Sequence, residues 1–181
     1  MTTDIDATCL ETFPTWLRSL ASDAEAMASG AASTEAPEAA RRALLGGLNY
    51  LFKSIDLIPD GIDDLGYLDD AFVLRVAAAQ ALEAGLSGDK HPGLAALGAQ
   101  ASTVKEFLGG EYPRLEHYVT NLRKGMARGR SVDDVLSSPG TLAEFEADVR
   151  GFVRGYSAPG FVREERNLIR LRAFLDAKLP R

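Results

Sequence analysis

The 181-residue sequence predicts an all-α protein: a compact bundle of about six to seven helices with a central helix–aspartate-rich loop–helix hairpin. Three observations carry that prediction. Alanine and leucine dominate while β-branched residues are sparse, a balance that favours helix. Between proline and glycine breaks, apolar residues recur at three- and four-residue spacing, as on a helix with one buried face. No run alternates apolar and polar residues for long enough to make a half-buried strand. The composition, 46% hydrophobic and 25% charged, is that of an ordinary globular protein.

The first helix is expected over residues 14–29, with Pro14 at its first position and Gly30 as its stop. The second runs from about residue 37 to 53 and carries Leu44, Leu45, Leu48, Leu51 and Phe52 on one stripe. Gly46 and Gly47 interrupt it at about 1 kcal/mol each relative to alanine, which points to a close helix crossing. A third helix follows over residues 70–84 and a fourth over 92–108, where Leu94, Leu97, Ala101, Val104 and Leu108 share a face. The fifth spans residues 111–128 with Leu115, Val119, Leu122 and Met126 inward, and a short turn lies near residues 132–136. Thr141 and Glu144 form a capping-box pattern opening a sixth helix. The last, residues 162–179, turns Leu168, Leu171 and Leu175 inward and Arg163, Arg166 and Arg170 outward. The reading is one helical domain over residues 1–181, with the hairpin at 40–85. Residues 111–181 are candidates for a helical subdomain of their own.

The loop between the second and third helices concentrates six aspartates within residues 54–70. Two readings account for them. In the structural one, carboxylates serve backbone N–H groups that helix starts leave unpaired, and they meet the positive end of the helix dipole. Asp69 or Asp70 then caps the third helix, Asp56 caps a turn at Leu57 and Ile58, and Asp60 with Gly61 makes a turn. Pro59 keeps Ile58 out of helical geometry, and Leu57, Ile58, Ile62, Leu65 and Leu68 bury. In the second reading the carboxylates of Asp60, Asp63, Asp64, Asp69 and Asp70 hold a hard divalent cation, magnesium or calcium, in an enzyme acting on a phosphorylated substrate. Gly66 inside the D-D-L-G-Y-L-D run is at odds with the helical aspartate motif of prenyl-diphosphate synthases, and the EF-hand pattern is missing.

Asp56-Leu57-Ile58-Pro59-Asp60 followed by Gly66-Tyr67-Leu68-Asp69-Asp70, set between two apolar helices, resembles the signature of the YkvA-like family, domain of unknown function 1232. The resemblance covers roughly residues 40–80. It implies a helical hairpin and no established activity. The acidic spacer at residues 61–65 departs from the mostly apolar one that the family leads one to expect.

Other chemistry finds little support in the chain. One cysteine, Cys9, excludes an internal disulfide, and two histidines, His91 and His117, make a multi-histidine metal centre unexpected. Cys9 lies in what reads as a mobile N-terminus, so a Cys9–His117 nucleophile pair is not expected, and His117 reads as an exposed helix residue. Nucleophile-elbow and phosphate-loop motifs are absent. Net charge is −6, with 16 acids against 7 bases in residues 1–110 and 10 against 13 in residues 111–181. That small C-terminal excess falls far below a nucleic-acid footprint. It suits attraction between the two halves. Arg123, Lys124, Arg128 and Arg130 read as complements to a helix C-terminus, and Trp16 as core or partner contact. The acidic N-terminus is unlike a secretory leader, and no apolar run reaches the ~20 residues of a spanning helix. The expectation is a soluble cytoplasmic protein without a cofactor. It acts through a protein partner or self-association, not nucleic acid, and Arg163, Arg166 and Arg170 are the candidates for peripheral membrane contact.

Overall fold

The computed structural model describes residues 4–53, 56–59, 61–62 and 65–181. Its helices are α1 (Asp4–Ala32), α2 (Glu38–Tyr50), α3 (Leu68–Glu83), α4 (Pro92–Ala99), α5 (Ala101–Leu108), α6 (Tyr112–Asn121), α7 (Val132–Ser137), α8 (Pro139–Gly155) and α9 (Glu165–Lys178). A minimal antiparallel pair, β1 (Met126–Ala127) with β2 (Arg130–Ser131), turns through Gly129 at φ 74°. The protein is all-α, and α2, the loop and α3 form its central hairpin.

The sequence of α3, LDDAFVLRVAAAQALE, is apolar almost all round, which places a helix in the interior. Ala71, Phe72, Val73, Leu74, Val76, Ala77 and Ala78 have no exposed surface. α1, α2, α4, α5 and α6 pack around it. Phe13 and Trp16 of α1 meet Phe72 edge-on at 5.2 and 5.9 Å between ring centres, and Phe107 of α5 closes the cluster at 5.9 Å. One continuous set of buried side chains runs from Cys9 to Leu179.

The glycine pair of α2 marks a close crossing, as its position predicts. A Cβ on Gly47 would lie 2.6 Å from Ala77 Cβ on α3, and one on Gly46 would lie 3.0 Å from the Arg123 amide nitrogen. The helix penalty of each glycine is offset by this approach of backbone to backbone.

Several boundaries differ from the expected ones. α1 begins ten residues before Pro14 and holds that proline inside, at a nominal cost of about 3 kcal/mol. Cys9, Phe13, Trp16, Leu17, Leu20, Ala24 and Met27 are buried along the same helix and outweigh that cost. Cys9 is therefore core, not part of a mobile terminus. Gly30 does not stop α1, because its bare Cα admits Leu94 and Leu44. The helix expected over 92–108 breaks at Gln100, whose side chain turns to Arg75. The helix expected to reach residue 128 ends at Asn121 in a 3-10 turn, Leu122–Lys124, and the short hairpin follows. The cap of α8 is Ser138, whose Oγ accepts the Thr141 amide; a full capping box instead links Ser131 and Asp134 at α7. Arg128 and Arg130 pair with Asp148 of α8, so they do not complement a helix end.

The halves of opposite charge do meet. Arg172 pairs with Asp6 at 2.6 Å and Arg163 with Glu11 at 2.7 Å, both joining α9 or its approach to α1.

Two glycine substitutions separate close packing from helix propensity. Gly47→Ala forces overlap with Ala77 and should lower stability by about 1–3 kcal/mol. Gly151→Ala, on an open face of α8, should raise it by about 0.5–1 kcal/mol. Urea unfolding of the two variants checks both signs.

Candidate functional site

α2 ends at Tyr50, whose ring is fully buried. Its hydroxyl donates to Asp69 Oδ2 and accepts the Leu57 amide at 2.7 Å. The same Asp69 oxygen accepts the Ile58 amide at 3.2 Å. The end of α2, the loop and the start of α3 are thereby tied at one point. Pro59, which holds Ile58 out of a helix, leaves that amide available to the carboxylate. Leu57, Ile58 and Leu65 fill the space beneath.

Asp69 and Asp70 lie inside the first turn of α3, not ahead of it, and the residue preceding the helix, Tyr67, makes no side-chain cap. The position expected for Asp69 or Asp70, the N-cap of α3, is taken by Tyr67. Asp69 is aimed back at the loop, because the loop amides and the Tyr50 hydroxyl lie within its reach. Tyr67 takes a left-handed backbone at φ 68°, uncommon for a residue with a Cβ, and its ring stands edge-on to Tyr156 at 5.2 Å.

Burial, then the charges of Asp69 and Asp70, hold the Tyr50 hydroxyl protonated far above its ordinary range. Tyr118 of α6 stands edge-on to Tyr50 at 6.1 Å. Burial, then Asp69, Asp56 and Asp70, push its hydroxyl up to about 12. Lys53 Nζ sits 5.6 Å from the Tyr118 ring centre. Both tyrosines stay protonated beside buried carboxylates and supply no base or nucleophile at neutral pH; the hydrogen bonds of the clasp are those of Tyr50.

Of the other motif residues, Asp56 and Tyr67 are half-buried, Gly66 and Leu68 buried and Pro59 exposed. Asp60, Asp63 and Asp64, with the turn and metal roles read for them, lie outside the described residues. Among the described residues no three His, Cys, Asp or Glu side chains are grouped to hold a metal ion.

A second polar site lies on the opposite flank of α3. Arg75 is 1% exposed, and its guanidinium stacks on Trp16, 4.0 Å from the ring centre. Its Nε donates to Gln100 Oε1 at 2.8 Å, Nη1 to the Ala71 carbonyl at 3.0 Å, and Nη2 to Asp23 Oδ2 at 3.3 Å. Burial draws Arg75 down to about 10 and Asp23 upward, and each attracts the other back toward its charged form. A cavity of about 400 Å³ opens over this pair, walled by Trp16, Leu97, Thr12 and Gln100. Sequence reasoning missed Tyr50, Asp23 and Arg75. The available signal was an arginine standing alone in an apolar run, AFVLRVAAAQA.

The remaining candidates separate. His117 is exposed on α6 and contacts Asn121. Trp16 is core. Arg163, Arg166 and Arg170 are exposed, and the first two are ion-paired with Glu11 and Glu164. Among the described residues no helix is long and apolar enough to cross a membrane.

Residues 40–75 match the family model described as a protein of unknown function, DUF1232. That segment holds α2 from Ala40, the loop, and α3 as far as Arg75. No curated protein and no solved structure matches the chain.

Removing the Tyr50 hydroxyl strands two buried groups, the Leu57 amide and the Asp69 carboxylate. Tyr50→Phe should cost about 2–6 kcal/mol at 1–3 kcal/mol or more per group, and hydrogen exchange at Leu57 and Ile58 should accelerate. Burial also raises the Cys9 thiol to about 12, so at pH 8 a thiol reagent should modify it only as the protein unfolds.

Proposed function

We propose that the chain is a non-catalytic helical interaction or scaffold protein, in which the YkvA-like DLIPD/GYLDD loop is a structural connector. The observation that carries this reading is the bonding of Asp69: its oxygen is occupied by the Tyr50 hydroxyl and the Ile58 amide, with no exposed surface. A carboxylate committed to the backbone in this way does structural work. The continuous core favours one helical unit over residues 1–181, with the hairpin inside it and the C-terminal helices folded onto it.

The partner is a protein or a second copy of the chain, in the cytoplasm. α9 offers a face for it, where Ile169 is 60% exposed between Arg166 and Arg170. The same arginines are the route to peripheral membrane contact, which vesicle sedimentation at two salt concentrations would detect as salt-sensitive binding.

The deciding measurement is thermal unfolding in EDTA, then in millimolar magnesium, manganese or calcium, on the wild type and on Asp63→Ala/Asp64→Ala. The connector reading expects no ion to move the midpoint. A site filled at a hundred times its dissociation constant would raise it by roughly 5–11 °C. Such a rise with one ion, lost in the double variant, would replace this reading with a divalent-metal enzyme acting on a phosphorylated substrate.

A further inference from the structure

The cavity over Arg75 and Asp23 has no part in the connector, and its chemistry stands independently of it. A charge pair at the floor of a cavity is an unusual expense of desolvation, since apolar replacements of buried ion pairs are often neutral or stabilising. Here the pair is also incompletely satisfied. A guanidinium has five N–H donors. Gln100, the Ala71 carbonyl and Asp23 take three of them, which leaves two. Ser19 and Arg75 both bond Asp23 Oδ2, at 2.9 and 3.3 Å, so Oδ1 remains as an acceptor. The Gln100 oxygen is taken by Arg75, leaving its amide N–H groups to donate.

Charge balance then selects the ligand. Arg75 and Asp23 cancel, and Glu11 at the rim is balanced by Arg163. A lone anion or cation entering would bury an uncompensated charge, which is strongly unfavourable. A molecule carrying both signs on adjacent atoms leaves the sum at zero and meets both ends of the pair. The volume, about 400 Å³, is near the lower end of small-molecule sites, roughly 300–1,000 Å³. Leu97 and the exposed Ala96 of α4 form an apolar lip for a short side chain.

We propose that this cavity binds a small zwitterion of the α-amino-acid class, with its carboxylate on the remaining Arg75 and Gln100 donors and its ammonium on Asp23. Trp16 is the chain's single tryptophan and lies against Arg75, so its fluorescence reports occupancy directly.

The test is a fluorescence titration of the full chain with glycine, L-serine and L-glutamine, alongside acetate and ethanolamine as single-charge controls. At least one amino acid should give a saturable change that neither control reproduces. Asp23→Asn should weaken it by about tenfold or more. Ala96→Phe, at an exposed position, should abolish it by closing the mouth, with the circular dichroism spectrum unchanged. If Asp23→Asn fails to fold, Ala96→Phe alone decides. A flat response to all three amino acids, equal binding of acetate or ethanolamine, or unchanged binding in Ala96→Phe would each overturn the proposal.

Discussion

A carboxylate shut away from water has to be bonded from within the protein, and the geometry of this fold turns on how Asp69 meets that requirement. Among its donors are the Tyr50 hydroxyl at the end of α2 and the Ile58 amide in the loop. Tyr50 in turn accepts the Leu57 amide, so the Tyr50 hydroxyl, the Asp69 carboxylate and the two loop amides are joined in one chain of bonds. An unpaired charge here would be heavily penalised. The bonds therefore fix where α2 may end relative to where α3 begins. Gly47 sets the separation of the two helices farther along, where Ala77 leaves no room for a side chain. With both constraints in place α3 is held at the centre, and the other helices bury their apolar faces on it or on its neighbours.

Much of this is legible in the sequence because it rests on periodicity and on residues with one physical meaning. The apolar stripes of α2 and α9 name their own buried faces, as does that of α6 at Leu115 and Val119, whereas Met126, expected inward on the same stripe, lies in β1 and is 57% exposed. Gly46 and Gly47 inside a helix have no reason to be there except a close approach. Pro59 ends helical geometry at Ile58 wherever it occurs. What the sequence conceals is direction. An aspartate in a first helical turn serves its own helix start as readily as a loop eleven residues away, and only the tertiary fold decides for Asp69. Tyr50 reads as one more apolar member of a stripe, since nothing local tells whether a buried hydroxyl has found partners. α1 is concealed differently: Pro14 is a strong local signal for a helix start, overruled by burial of Cys9 and Phe13 in the turns before it.

Arg75 shows the same limit at the second site. Its partners Asp23 and Gln100 lie 52 and 25 residues away, and no spacing rule joins them. The only local hint is contrast, a guanidinium in a run of alanine, valine and leucine.

The two polar sites on α3 differ in where their partners come from. Every bond described for Asp69 is made to a residue within 40–75, the segment that matches DUF1232. The hydrogen bonds of the clasp are thus carried by the segment itself, while Tyr118 of α6 packs edge-on against Tyr50 from outside it. Arg75 closes the same segment, yet of its partners only the Ala71 carbonyl lies inside it; Trp16, Asp23 and Gln100 come from α1 and the α4–α5 turn. Phe72 likewise rests on Phe13, Trp16 and Phe107. A helix buried on every side cannot be covered by a single hairpin partner, so the segment depends on surrounding helices to complete its core. The bonds of Asp69 lie within the matched segment, and the cavity is built by the helices that this chain folds around it.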